Sequence, residues 1–79
     1  MRCILRRVGV FLAVARTGSV SRAGDELAMS QSAVSSSLAD LERQFDVRLF
    51  DRIGKRLRLS EMGHALRSRA AAVWDEARE

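Results

Sequence analysis

The sequence predicts a mainly α-helical domain with one two-stranded β-hairpin, and three observations support this. Apolar residues recur at intervals of three and four in four separate stretches, which is the spacing of one helix face. Serine or glycine stands near the ends of these stretches, as helix caps require. Between the third and fourth stretches, short runs of alternating residues enclose a glycine, which indicates a hairpin.

The length and composition limit the class of protein. A chain of 79 residues has room for one domain with a small core, and 47% hydrophobic residues suffice for a compact helical fold. No apolar run approaches the ~20 residues of a membrane span and no signal peptide is evident, so we expect a cytoplasmic protein that does not enter a membrane. Cys3 is the only cysteine, which fits a reducing compartment and excludes an internal disulfide.

The first two helices are predicted from their apolar stripes and their caps. The first helix ends at Gly18, which suits a left-handed C-terminal residue. The second begins at a cap provided by either Ser19 or Ser21, ends near Ala28, and has Gly24 where it would cross the next helix closely. The inward residues are expected to be Ile4, Val8, Phe11, Leu12 and Ala15 in the first helix and Val20, Ala23 and Leu27 in the second.

The third predicted helix, residues 30–45, has an unusual outer face. Its inward stripe is expected to comprise Val34, Leu38, Leu41 and Phe45. The opposite face is short or uncharged, without any Arg, where a solvated helix usually carries Glu and Lys; its residues are Gln31, Ser32, Ser35, Ser36 and Ala39. Two helices separated by a tight turn form a helix-turn-helix, so this face is predicted to contact base edges in a DNA major groove, with DNA shape adding to the preference. An ordinary solvated, serine-rich face is the alternative.

After Asp46, which is placed to end the third helix, the chain is predicted to form a basic hairpin. Runs 49–52 and 57–59 flank the tip 53–56, and their apolar residues are expected to be buried because an isolated hairpin is only marginally stable. Residues 49–60 carry four cations against one carboxylate. A hairpin beside a helix-turn-helix is a wing, so Arg52, Lys55 and Arg56 are predicted to bind the DNA backbone or minor groove. A solvated charged loop is the alternative.

Ser60 is predicted to cap a fourth helix that runs to the end of the chain. Its apolar stripe extends beyond the expected globular body, so a second copy of the chain is the natural partner. The predicted dimer interface comprises Leu66, Ala70, Val73, Trp74 and Ala77. Trp74 has two interpretations, because it either covers the domain's own core or lies between two copies.

Several segments resemble a known family. Residues 11–19, 28–35, 41–42, 49–52 and 59–63 are similar, in order and spacing, to the N-terminal DNA-binding domain of LysR-type transcriptional regulators. The resemblance implies a winged helix-turn-helix over residues 1–60 and a linker helix over residues 61–79 that pairs antiparallel with a second copy. It also implies that the third helix enters the major groove and that the wing touches the minor groove. Members normally continue into an effector-binding domain, which is absent from these 79 residues.

Individual positions match this family unevenly. Gln31 and Ser35 match positions that commonly meet bases or phosphates. Ser36 stands where members often have Arg, while Asp46 replaces a usual Gly and Gly24 a usual Ala. The resemblance thus implies the family's way of docking on DNA with one arginine contact missing.

The sequence therefore predicts a sequence-specific DNA-binding domain of a bacterial transcriptional regulator, acting as a homodimer on a palindromic site. Phosphate is also expected at the N-terminus of the second helix, beside Arg22 and the nearby hydroxyls. The predicted DNA-binding residues are Ser19, Ser21, Arg22, Ser30, Gln31, Ser32, Ser35, Ser36, Arg52, Lys55 and Arg56. The alternative is a winged-helix module for protein association alone, which would not need the cations of the wing.

Neither catalysis nor a cofactor is predicted. The acidic residues lie on helix surfaces and the serines lack a neighbouring base, so no catalytic group can be assembled. His64 is the only histidine, and with one cysteine no metal site can be drawn. A small-molecule effector is expected to act only through the missing domain.

Overall fold

The computed structural model describes residues 2–78, with side chains described for residues 4–72. Its elements follow in the order α1 (Arg2–Thr17), α2 (Val20–Leu27), α3 (Gln31–Phe45), β1 (Phe50–Ile53), β2 (Arg56–Leu59) and α4 (Glu61–Arg78). This architecture confirms the predicted helices and hairpin. Predictions made for the side chains of Cys3, Val73, Trp74 and Ala77 fall outside the described ones. Within residues 2–78, each helix is too short or too polar to cross a membrane.

Helix α1 lies at the centre of the core, in contact with α2, α3, α4 and β2. Val10, Phe11, Ala13 and Val14 are all buried, and the ring of Phe11 lies 5.5 Å from that of Phe50, centroid to centroid. Because neighbours cover α1 on several sides, its buried face is wider than one stripe. The predicted stripe was wrong in two respects: it omitted Val10, Ala13 and Val14, and it included Ile4, which is exposed.

Two serine caps fix the helix-turn-helix. The Ser19 hydroxyl accepts a hydrogen bond from the Arg22 N–H at 3.1 Å, and the Ser30 hydroxyl accepts one from the Ala33 N–H at 3.1 Å. Ser19, not Ser21, therefore caps α2. These bonds satisfy N–H groups that a helix start leaves without a partner, which determines where α2 and α3 begin.

The turn between α2 and α3 explains Gly24. Ala28 adopts a left-handed conformation with φ 55°, and the Met29 N–H donates to the Gly24 carbonyl at 2.9 Å. A Cβ on Gly24 would lie 2.7 Å from the Met29 carbonyl oxygen. The sequence predicted a close approach of the next helix at Gly24, but the closest atom belongs to the turn between the helices. Leu27, expected inside, is exposed because it is the last residue of α2, where the chain turns away from the core.

Helix α3 buries Val34, Leu38 and Leu41 as predicted, but the prediction for Phe45 was wrong. Phe45 is 50% exposed because it ends the helix, and Asp46, with φ 53°, reverses the chain there. Leu49 is completely buried just beyond this reversal.

The hairpin, called the wing from here on, extends closer to its tip than predicted, and its first strand begins at Phe50, one residue after the start of the predicted run. Ile53 pairs with Arg56 across a two-residue turn, Gly54–Lys55, whereas the sequence placed both residues in the tip. Leu57 and Leu59 are half-buried against the core, as expected, while Arg58 between them is exposed. The Leu57 N–H donates to the Gly18 carbonyl at 3.1 Å, so the wing is joined directly to the turn before α2.

Ser60 caps α4 as predicted, since its hydroxyl accepts from the Gly63 N–H at 3.0 Å. The same hydroxyl donates to the Arg48 carbonyl at 2.6 Å, and the Ser60 N–H donates to the Leu49 carbonyl at 2.9 Å. The start of α4 is thereby tied to the segment that enters the wing.

Candidate nucleic-acid interface

The outer face of α3 is polar and exposed. At about 100° per residue, the positions directly opposite the buried stripe are Ser32, Ser36 and Arg43, all of which are exposed. The prediction that this face carries no Arg was wrong, because Arg43 lies on it. Arg43 is in the last turn of the helix and forms an ion pair with Asp40. The first two turns of the face remain uncharged.

The predicted contact residues on the helix-turn-helix differ in how many polar atoms remain available. Ser19 and Ser30 each use a hydroxyl lone pair for a cap, and the Ser30 and Ser32 hydroxyls also lie 3.3 Å apart. Gln31 and Ser35 are exposed, and neither side chain forms a hydrogen bond within the described residues. Ser21, Arg22 and Ser36 are exposed as well.

One flank of α3 faces the wing. The cleft between them, called the wing-side cleft, has a volume of about 360 Å³, and its polar lining consists of Ser35, Glu42, Arg48 and Arg52. Arg52 enters this cleft because it shares a face of β1 with Phe50. The Glu42 carboxylate accepts a hydrogen bond from the Leu49 N–H at 2.7 Å, which fixes the root of the wing against α3.

The wing does not gather its three predicted cations on one face. Arg52 lines the wing-side cleft, while Arg56 and Arg58 line a second depression beside the end of α1, next to Gly18. Lys55 lies in the exposed turn. Arg48 was not predicted, although it directly precedes the wing and is as basic as its neighbours. Sequence alone does not reveal that it lies beside α3.

The other flank of α3 faces α1. The cleft between these helices, called the α1-side cleft, has a volume of about 330 Å³ and is lined by Arg6, Arg7, Met29, Ala33, Ser36, Ser37 and Asp40. Arg7 lies 3.5 Å from the Asp40 carboxylate and donates to the Gln44 side-chain oxygen at 3.4 Å. Arg6 is exposed and has no ion-pair or hydrogen-bond partner among the described side chains.

A further ion pair joins α1 to α2 away from these clefts. Both guanidinium nitrogens at the end of Arg16 donate to the Glu26 carboxylate. The side-chain hydrogen bond from Arg16 lowers the pKa of Glu26, and the same bond raises the pKa of Arg16. Since both groups are exposed, solvent screens the pair and its contribution to stability is small. Across the described residues, His, Cys, Asp and Glu side chains form no cluster suited to a metal ion.

The capped helix pair, the exposed polar face of α3 and the adjoining hairpin define a winged helix-turn-helix domain. The model of the family described as bacterial regulatory helix-turn-helix protein, lysR family, matches residues 5–64. The chain belongs to this family, which confirms the resemblance found in the sequence.

Similar proteins agree with this assignment. The HTH-type transcriptional regulator YeiE of Escherichia coli is 49% identical over 79 residues, covering 100% of this chain and 27% of the relative. The RuBisCO operon transcriptional regulator of Allochromatium vinosum is 40% identical over 79 residues, covering 100% of this chain and 26% of the relative. The chain thus spans about a quarter of the length of these relatives.

A solved structure matches the fold closely. The CbnR DBD–DNA complex superposes with a TM-score of 0.88 at 29% identity, covering 92% of this chain and 84% of that chain.

Proposed function

We propose that this chain is the DNA-binding part of a bacterial transcriptional regulator that acts in the cytoplasm and recognises double-stranded DNA by sequence. The observation that carries the proposal is the exposed outer face of α3, which is uncharged over its first two turns and lies between two clefts that contain arginines. The major groove of DNA is wide enough to admit an α-helix, and short polar side chains on that helix reach base edges. The match to a protein whose structure is a complex with DNA supports the same docking.

Each group of residues has a distinct role in this proposal. The Gln31 amide presents a donor and an acceptor that suit adenine, and the hydroxyls of Ser32, Ser35 and Ser36 bond to bases or phosphate. The cations of the wing bind the backbone, and one of them enters the minor groove. Arg22 and the N-terminus of α2 bind phosphate. The protein acts by binding and catalyses no reaction.

We also propose that two copies pair along α4 and bind a palindromic site. An apolar cavity of about 260 Å³ separates the end of α3 from α4, and it is bordered by Phe45 and Met62, which are 50% and 52% exposed. Leu66 borders the same cavity. Ala70 is only 5% exposed in the single chain and belongs to its own core, so this proposal leaves it out of the interface. Effector binding, in this proposal, belongs to sequence beyond these 79 residues.

Selection of bound duplexes from a random DNA pool tests the recognition of sequence. We expect a consensus with two-fold symmetry. On the selected duplex, Gln31→Ala should cost about 1–3 kcal/mol and relax the preference at one position. Arg52→Ala should weaken all sequences alike and reduce the slope of log K against log salt by about 0.9. A folded protein that yields no consensus, or two variants with identical behaviour, would contradict the division between recognition and backbone binding.

Sedimentation of the free protein tests the dimer. Met62→Lys places a charge at the border of the apolar cavity without removing a buried group, so the variant should dissociate at concentrations where the wild type is paired. Arg67→Lys, on an exposed position of the same helix, is the matched control. A wild type that stays monomeric at high micromolar concentration rules out pairing through this chain alone. A paired protein without salt-dependent DNA affinity would instead support the association module.

A further inference from the structure

A helix in a major groove has a phosphate backbone along each of its flanks. The groove is about 12 Å wide, so a docked helix lies close to both strands. On the wing side of α3, Arg52 and Arg48 are available for one strand. The other strand would run along the α1 side of α3, where the α1-side cleft contains further polar side chains.

The α1-side cleft has a net positive charge. Its only carboxylate is Asp40, which is already paired with Arg7 and Arg43. Arg6 lines the same cleft without an acidic partner among the described residues. The hydroxyls of Ser36 and Ser37 border this cleft as well, so a charged donor and neutral donors lie together beside the outer face of α3.

Arg7 joins α1 to this flank of α3. Its guanidinium contacts Asp40 and Gln44, which lie one turn apart on α3. The preceding residue, Arg6, lies at the edge of the cleft, and its own side chain remains exposed to a ligand.

We propose that Arg6 binds a phosphate of the DNA strand on the side of the major groove opposite to the strand that Arg52 contacts. A guanidinium suits this role because two parallel N–H groups can bond to two phosphate oxygens. Arg7 does not itself touch DNA, because its guanidinium is engaged by Asp40 and Gln44. This inference rests on the DNA binding proposed above.

The first test measures the salt dependence of binding to a short duplex of mixed sequence. Arg6→Ala should reduce the slope of log K against log salt by about 0.9 per protomer and weaken binding about three- to tenfold. Arg6→Lys should keep the slope, and Arg67→Ala, which removes an exposed charge from α4, should match the wild type. Thermal unfolding of Arg6→Ala should be unchanged, because the side chain is exposed and unpaired.

The second test locates the phosphate. Methylphosphonate substitutions, each of which removes one backbone charge, are placed along both strands of the duplex recovered by selection. The substitution that weakens the wild type but not Arg6→Ala should lie across the major groove from the one that loses its effect in Arg52→Ala. If both arginines couple to the same strand, or if no phosphate couples to Arg6, the inference is wrong.

The salt dependence of binding separates a failure of the role of Arg6 from a failure of DNA binding as a whole. A wild type without salt-dependent DNA affinity refutes both. A wild type that binds DNA with a normal salt slope, together with an Arg6→Ala variant of equal slope, refutes only the role of Arg6.

Discussion

Replacement of Gly63 by Ala has two opposite effects on the stability of the fold, one from helix propensity and one from steric overlap. Gly63 lies in the first turn of α4, where Ala is preferred over Gly by about 1 kcal/mol on helix propensity. A Cβ at this position, however, would lie 2.1 Å from the Leu49 carbonyl oxygen and 2.9 Å from the Leu59 Cδ2. Ordinary contact begins at 3.4 Å, so the backbone of residue 49 would have to move by about 1.3 Å, the difference between 3.4 and 2.1.

The size of the expected loss of stability depends on this movement of the backbone at residue 49. The Leu49 carbonyl accepts the Ser60 N–H at 2.9 Å, and that bond is lost if the two segments separate. Overpacking typically costs about 1–3 kcal/mol and a lost buried hydrogen bond about 1 kcal/mol. After subtraction of the propensity gain, Gly63→Ala should destabilise the domain by about 1–3 kcal/mol, which corresponds to about 5–20 °C in Tm for a chain of this size.

Thermal unfolding followed by circular dichroism measures this effect, at one protein concentration so that pairing does not alter the Tm. The difference between Arg67→Gly and Arg67→Ala gives the propensity term in the same helix at an exposed site. If Gly63→Ala raises the Tm, or leaves it unchanged, steric contact with Leu49 does not dominate and the proposed reason for a glycine here is refuted.

Three further predictions concern the C-terminal end of α3 and the ion pair between Arg16 and Glu26, which joins α1 to α2. Asp46→Gly should stabilise the domain by about 0.5–1 kcal/mol in chemical denaturation, because φ 53° is unfavourable for a residue with a Cβ; a loss of stability would contradict this. Glu42→Ala should cost about 1–3 kcal/mol by leaving the buried Leu49 N–H without its acceptor, while Glu42→Gln, which keeps an acceptor, should cost less; equal losses would show that the bond is unimportant. In an NMR titration, Glu26 should ionise below the usual range for glutamate because Arg16 lowers its pKa, and Arg16→Ala should reverse this. A lowered pKa means that the stabilisation is present above the unfolded-state pKa of glutamate and is lost as the pH falls through the folded-state value.

Local features of the fold could be predicted from the sequence because their causes are local. Ser60 caps α4, as predicted, through a bond to the N–H three residues later. Asp46 and Gly18 end helices because they tolerate positive φ. These contacts depend on residues that are neighbours in the chain, so the sequence contains the necessary information.

Burial at the helix ends could not be predicted in the same way. Ile4, Leu27 and Phe45 continue an apolar period, yet each lies near the end of its helix and is exposed. The core of so small a domain covers only the middle of its helices, and periodicity does not indicate where that cover stops. Arg48 and Arg6 were not among the predicted site residues for a related reason, since their positions beside α3 depend on how separate elements pack.

In the proposed docking on DNA, the short side chains of α3 reach base edges only if the helix itself is held in place. Serine loses little conformational entropy on binding but reaches a short distance, so a small displacement of α3 removes its contacts while long arginines on the flanks can still follow the phosphates. Arg7 with Asp40 links α3 to α1 on one flank, and Glu42 with the Leu49 N–H links it to the root of the wing on the other. Loosening either link should therefore reduce the discrimination between DNA sequences more than the affinity for DNA in general. In that docking, the two links would therefore govern how much of the binding free energy depends on sequence.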